Sequence, residues 1–281
     1  MAVFAAPDGR RLHYEDEGQG PAILCLAGLS RNLRDFAHIP AHLPGHRVIR
    51  LSARGRGGSA HAEDPMAEYQ VPVEVGDALA LIDHLGLTGV GVLGTSRGGI
   101  VGMAMAATRP GLVTALALND VGAAIEVAGL LRIAGYVGTP PEAKTFAEAA
   151  AAMQAAHAAD FPGVPITRWE GHARAVFGEG PDGAPVLSYD PALATATLGA
   201  LDPSIPQIDL SPLFAACAAI PVLTIRGALS DVLSAKTLKA MAAQHPDFTA
   251  LTIADRGHAP FLDEPEAIAA LRIHFERTPS P

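Results

Sequence analysis

The stretch Val90-Gly91-Val92-Leu93-Gly94-Thr95-Ser96-Arg97-Gly98-Gly99 decides how this chain reads. An apolar run rich in Val and Leu arrives at Gly94. A helix-compatible run, Ile100-Val101-Gly102-Met103-Ala104-Met105-Ala106-Ala107, leaves after Gly99. Between them, Gly94, Ser96 and Gly98 form Gly-x-Ser-x-Gly. In that context the pattern predicts a strand turning sharply into a helix, a nucleophile elbow with Ser96 at its strained apex. Glycines two residues before and after the apex keep side chains out of the turn. The hydroxyl is thereby exposed at a helix N-terminus, where backbone N–H groups and the helix dipole favour an oxyanion. The motif alone says little in a chain with 29 glycines. The flanking strand and helix are what make Ser96 a candidate nucleophile.

Outward from this stretch, strand and helix signals alternate. Val3–Ala6 and Arg11–Asp16 flank Asp8-Gly9, a hairpin signal. Ala22-Ile23-Leu24-Cys25-Leu26 is wholly apolar, as expected of a strand covered on both faces, and it runs into Ala27-Gly28-Leu29. Asn32–Leu43 reads as a short helix. Arg47–Leu51 reads as a strand that enters the turn Arg54-Gly55-Arg56-Gly57-Gly58-Ser59. Val75, Ala78, Leu79 and Ile82 mark one face of a helix over 72–85, and Leu112–Asn119 is again strand-like. This alternation predicts an α/β fold with a mostly parallel sheet covered by helices.

The alternation breaks over residues 122–219, an Ala-rich, helical stretch interrupted by Pro140-Pro141, Phe161-Pro162-Gly163 and Gly178–Gly183, with no clear buried strand. It resumes with a strand at 221–226, a helix at 235–244, a strand at 248–253 and a helix at 266–276. The expected division is a core of residues 1–121 and 220–281 with a helical cap at 122–219 over the active face.

Two later loops complete a chemical set. Asp231 follows the first strand after the insertion, and His258 follows the last strand. Ser96, Asp231 and His258 thus each lie just beyond the C-terminal end of a predicted strand, and in a parallel sheet those ends share one edge. A serine hydroxyl is a weak nucleophile until an imidazole takes its proton. The imidazole in turn needs a carboxylate to fix its tautomer. Asp120 also follows a strand and is the rival for the acid; it could instead anchor the first turn of the insertion. The oxyanion donors expected are the backbone N–H groups of Arg97 and of Leu29, beside Gly28.

Bulk composition narrows the rest. Hydrophobic residues make up 49% of the 281, ample for a large core. A net charge of −9 with only three lysines argues against a nucleic-acid partner, and no Lys/Arg run suggests an anionic membrane surface. The N-terminus lacks a basic stretch followed by an apolar core, so no signal peptide is expected. No apolar stretch approaches the roughly 18 residues of a membrane span. A cytoplasmic location follows as the expectation. Cys25 and Cys217 lie in apolar surroundings and read as buried free thiols. No metal site or cofactor is expected, and the oligomeric state is left open.

The motifs 26–28, 54–59, 94–99, 227–231 and 257–258 resemble those of the α/β-hydrolase fold, in particular its lid-bearing branch of serine esterases, lactonases and C–C bond hydrolases. The resemblance spans residues 22–277 apart from the insertion. It implies a Ser96–Asp231–His258 triad, with the acid most often where Asp231 stands and in some members where Asp120 stands. Two positions depart from the usual pattern. Ala27 replaces a His common before the oxyanion-loop glycine, and Ser52 replaces an Asp common before the Arg-Gly-x-Gly turn.

The insertion carries the substrate question. Its apolar candidates for the pocket are Leu130, Ile133, Tyr136, Val137 and Trp169, with Gly28 from the core. A single Trp and 5% aromatic residues disfavour a polysaccharide platform, and no Arg/Lys cluster marks a phosphate or CoA site. A small to medium, mostly apolar ester or lactone fits best, cleaved through an acyl-enzyme. Hydrolysis of a C–C bond in a β-diketone or vinylogous diketone, and a non-enzymatic binding role, stay open. Serine at the elbow argues against dehalogenase and epoxide hydrolase chemistry, which use Asp there in this fold.

Overall fold

The computed structural model describes residues 2–199 and 201–277; the outermost residues of the expected core, 1 and 278–281, lie outside it. Strands β1 (Ala2–Ala5) and β2 (Arg11–Glu17) form the expected hairpin, with Gly9 at φ +84° in its turn. They are followed by β3 (Ala22–Leu26), β4 (Arg47–Leu51), β5 (Val90–Thr95) and β6 (Val113–Asn119). Within the insertion lie four three-residue strands, β7 (Ala124–Glu126), β8 (Phe177–Glu179), β9 (Pro185–Leu187) and β10 (Gln207–Asp209). β11 (Val222–Gly227) and β12 (Phe248–Ile253) close the series.

Eight of these strands make one sheet in the order β1-β2-β4-β3-β5-β6-β11-β12. The β1–β2 and β2–β4 pairs are antiparallel and all the others parallel. The sheet is therefore mostly parallel, and its central strands are apolar because helices cover both faces. All five residues of β3 and all six of β11 are buried. Two large apolar clusters form the core, one around Leu24, Val92 and Leu116, the other around Ile23, Leu93 and Phe275. They fall on opposite faces because successive side chains along a strand alternate. Cys25 and Cys217 are buried and unpaired.

The expected helices recur at Val71–His84, Arg97–Thr108, Ala235–Gln244 and Pro265–Glu276. The stretch 32–43 is not one helix. A 3-10 turn at Leu33–Phe36, capped by the Asn32 side chain, is followed by a single α-turn at Ile39–His42 with Pro40 in its first turn.

Residues 122–219 are more varied than a helical reading of them allows. Helices Val127–Ala134, Phe146–Ala156 and Ile166–Val176 are accompanied by two small antiparallel pairs, β7–β10 and β8–β9. Short strands escape a sequence reading because three residues carry too little periodicity to register. Ile125, Ile133, Val137 and Leu193 join the main apolar core. Phe161, Trp169 and Ala173 form a separate cluster with Phe261, which comes from the loop after His258.

Among the described residues, no helix is long and apolar enough to cross a membrane.

Candidate active site

The sheet register brings Ser96 and Asp120 together. Thr95 on β5 pairs with Asn119 on β6, so the next residue of each chain leaves the sheet at the same level. The Ser96 N–H donates to the Asn119 carbonyl at 2.9 Å, and the Asp120 N–H to that of Ile225 at 2.7 Å. Both residues have positive φ, 51° at Ser96 and 56° at Asp120, a conformation that non-glycine residues seldom adopt. At Ser96 the turn is tight because the chain must reverse into the helix Arg97–Thr108. A Cβ on Gly98 would stand 2.0 Å from the Leu26 carbonyl oxygen, and one on Gly94 2.5 Å from that of Gly98. Only glycine fits at either position.

His258 lies between the two. Its Nε2 is 2.9 Å from Ser96 Oγ and its Nδ1 is 2.7 Å from Asp120 Oδ2. Asp120 is fully buried, and its other contacts are polar. Oδ1 accepts the Gly227 N–H at 2.8 Å, and Oδ2 accepts the Ser230 hydroxyl at 2.5 Å. The end of β11 thus holds the carboxylate that faces the histidine.

The structure corrects the expectation for Asp231. Its carboxylate takes two donors of Arg132, Nε at 2.5 Å and a terminal nitrogen at 2.8 Å, while the imidazole bonds Asp120. Burial alone would raise the Asp231 carboxyl; the Arg132 guanidinium outweighs it and holds the group below the ordinary Asp range. The two aspartates have exchanged the expected parts. Asp120 faces the histidine, while Asp231 anchors the helix Val127–Ala134 of the insertion. The adjacent Ser230 does the one thing the β11 loop contributes to the hydrogen-bonded chain. Sequence position could not separate the two acids, because both follow strands on the same edge.

Gly28 and Leu29 border the cavity beside Ser96. The Gly28 carbonyl accepts from the Arg31 N–H at 3.1 Å, which turns the Leu29 N–H of the same trans peptide the other way. The Arg97 N–H opens its helix and has no intrahelical acceptor. The support that Ala27 cannot give comes from Arg56. Its Nε donates to the Leu29 carbonyl at 2.8 Å. Arg56 also pairs with buried Glu74 at 2.7 Å, and the other Glu74 oxygen accepts Arg97 Nε at 2.8 Å. Burial pushes Glu74 up, but Arg56 and Arg97 more than reverse this and keep its carboxyl below the ordinary Glu range. One carboxylate therefore ties together the two segments that carry Leu29 and Arg97. The Arg56–Glu74–Arg97 link was missed in the sequence, where Arg56 and Glu74 are only members of a turn and of a polar helix position.

A cavity of about 850 Å³ opens onto Ser96 and His258. Ile133, Tyr136 and Trp169 from the insertion line it, whereas Leu130 and Val137 pack into the main core instead. Trp169 is 1% exposed and stacks on His157, with ring centroids 5.7 Å apart; Tyr136 is 46% exposed. The wall also carries Arg31, Arg34, Arg132 and Arg168, so it is more polar than the composition of the insertion suggests.

Residues 21–265 match the family model of the alpha/beta hydrolase fold. The chain is an α/β-hydrolase. An α/β-hydrolase of known structure from Novosphingobium aromaticivorans superposes with a TM-score of 0.91 at 40% identity, covering 99% of this chain and 98% of that one. The 3-hydroxybutyrate-oligomer hydrolase of Cupriavidus necator is 35% identical over 268 residues, 92% of this chain and 90% of that protein. The structure of E-2-(acetamidomethylene)succinate hydrolase superposes with a TM-score of 0.81 over 98% of this α/β-hydrolase and 99% of its own chain; at 22% identity the likeness is one of fold.

Proposed function

We propose that this α/β-hydrolase cleaves small to medium carboxylic esters or lactones through an acyl-enzyme on Ser96. The observation that carries the reading is His258 standing within hydrogen-bond reach of both Ser96 Oγ and Asp120 Oδ2. His258 Nε2 takes the Ser96 proton as Oγ attacks the ester carbonyl. The carbonyl oxygen becomes an oxyanion facing the N–H groups of Leu29 and Arg97. Collapse of this intermediate expels the alcohol, which receives the proton from His258. Water then attacks the acyl-enzyme, again giving its proton to His258, and the acid leaves with Oγ reprotonated. Asp120 holds the imidazole in one tautomer and stabilises its protonated form. Residues 122–219 act as a cap that supplies the pocket wall through Ile133, Tyr136 and Trp169.

The relative in Cupriavidus necator supports ester chemistry, since a hydroxy acid oligomerises through ester bonds. The test is covalent. A serine-directed phosphonate should label one residue, found by peptide mapping at Ser96. Ser96→Ala should lose on the order of 10³ or more in kcat on a short p-nitrophenyl ester. Full activity in that variant would sink the reading.

A further inference from the structure

We infer that Arg31 is the anchor for a free carboxylate on the acyl chain, so that the preferred ester carries an acidic end in the same cavity as Ser96. The inference rests on the ester-hydrolase reading above and names the substrate class within it.

Arg31 and Ser96 flank the same face of Gly28. A Cβ placed there would be 3.6 Å from Arg31 Cγ and 3.7 Å from Ser96 Cβ. The Arg31 side chain is 24% exposed, and it borders the cavity. A guanidinium has five N–H donors and no acceptor. Two of those of Arg31 go to one oxygen of Asp35, from Nε at 3.2 Å and from a terminal nitrogen at 2.8 Å. The two terminal nitrogens each approach a ring nitrogen of His172 at 3.2 Å.

His172 accepts only one of these. Burial pushes its imidazole well below the ordinary His range, with Arg31 itself the next cause, so the ring is neutral. A neutral ring has one acceptor nitrogen; the other carries a proton. Three donors are therefore used and two remain without an acceptor among the described residues.

The other arginines of the wall face other partners. Arg132 makes a two-pronged pair with Asp231, Arg168 pairs with Asp263 while lying over the Phe261 ring, and Arg34 donates to Asn32 Oδ1 and the Phe177 carbonyl; of the four, Arg31 is the one that meets Ser96 across Gly28. Asp35, Glu142, Asp160 and Asp263 also border the cavity, so its four arginines give the wall no excess of positive charge. The preference comes from the local donors of Arg31. A carboxylate is the ligand group that uses them best, because donation from a guanidinium to a charged oxygen is roughly twice as strong as donation to a neutral one.

The test compares two p-nitrophenyl esters of one six-carbon dicarboxylic acid, the far carboxyl free in one and methyl-capped in the other. In the wild type the free acid should have the higher kcat/KM, by about tenfold, the size of one charge-assisted hydrogen bond. Arg31→Gln should bring the ratio close to one, chiefly through KM, and Arg31→Lys should restore part of it. Asp35→Asn removes the competing carboxylate and should move the ratio the other way. This second variant keeps the test decisive if Arg31→Gln does not fold. A wild-type ratio of one or less overturns the inference, as does a ratio that neither variant changes. Turnover of the capped ester by the wild type bears on the ester-hydrolase reading alone, so the two failures are distinguishable.

Discussion

His258 Nδ1 stands 2.7 Å from Asp120 Oδ2, and the acid is held there from a third strand. The Gly227 N–H at the end of β11 donates to Oδ1 and the Ser230 hydroxyl just beyond it to Oδ2. Asp120 cannot turn without leaving two buried donors unpaired, which is costly in a dry site. Its orientation toward the imidazole is a property of the β6–β11 pairing rather than of its own rotamer.

Asp120→Asn should therefore lower kcat by on the order of 10⁴, because an amide facing the imidazole favours the wrong tautomer. Asp231→Asn should leave kcat within a few-fold. It loosens a half-exposed pair with Arg132, with side chains 33% and 38% exposed, and such pairs contribute about 1 kcal/mol or less. Steady-state kinetics on a short ester, alongside thermal melts, compares the two. The reverse ranking would return the acid to Asp231.

Glu74→Gln should destabilise the protein by roughly 3–5 kcal/mol, since it leaves the buried Arg56 with no carboxylate against it. Loss of the link to Arg97 should also lower kcat on substrates of every acyl length. Urea unfolding reads the first effect and single-substrate kinetics the second. A stability change under about 1 kcal/mol would mean that the pairs barely offset the cost of burying their charges.

Stability should fall on mild acidification. Burial holds His172 well below 6.5 in the folded protein, so between its folded value and 6.5 the unfolded chain binds the extra proton. Stability then rises with pH in that window and is lost as pH drops below 6.5, by at most about 1.4 kcal/mol per pH unit for such a group. Glu74 acts further down. Its lowered carboxyl gives stability that is complete above its unfolded value and is lost as pH falls through the folded one. The urea midpoint measured from pH 7 to pH 5 should decline, and His172→Asn should flatten the decline. An unchanged slope in that variant would assign the acid sensitivity to other groups.

Tyr136 and Trp169 should part company under substitution. Trp169→Ala empties the centre of the Phe161–Trp169–Phe261 cluster and should cost roughly 3–5 kcal/mol. Tyr136→Ala, at an exposed cavity position, should leave stability within about 0.5 kcal/mol and change the preference among acyl lengths. Thermal melts and an ester series of increasing length give both readouts. A Tyr136→Ala enzyme with the wild-type length profile would remove that residue from the pocket.

Local rules made much of the fold legible. The apolar runs of β3, β5, β6 and β11 are strands because they lie between two layers of helices, and such burial leaves a plain mark in composition. The segments that local rules do not capture are those whose structure depends on partners elsewhere. Residues 32–43 break at Ala37 and His38, before the turn that carries Pro40, and the three-residue pairs β7–β10 and β8–β9 exist only because distant segments meet. Arg31, Arg56 and Glu74 carried no signal, since a charged residue in a loop or on a helix reads as solvated until its partner is known.

By itself, the sequence determined that the chain turns at Ser96. The clashes that require glycine at 94 and 98 arise within that turn and from the adjacent β3, so a short motif encodes them. It also determined that residues following several strands would share an edge, because parallel strands end on the same side. Which aspartate faces His258 was decided only by the tertiary structure. That choice depends on Arg132, 99 positions before Asp231, and on Ser230, 110 positions after Asp120. Each acid is claimed by the partners that the packing brings within 3 Å, and a buried carboxylate that accepts three hydrogen bonds is held against turning.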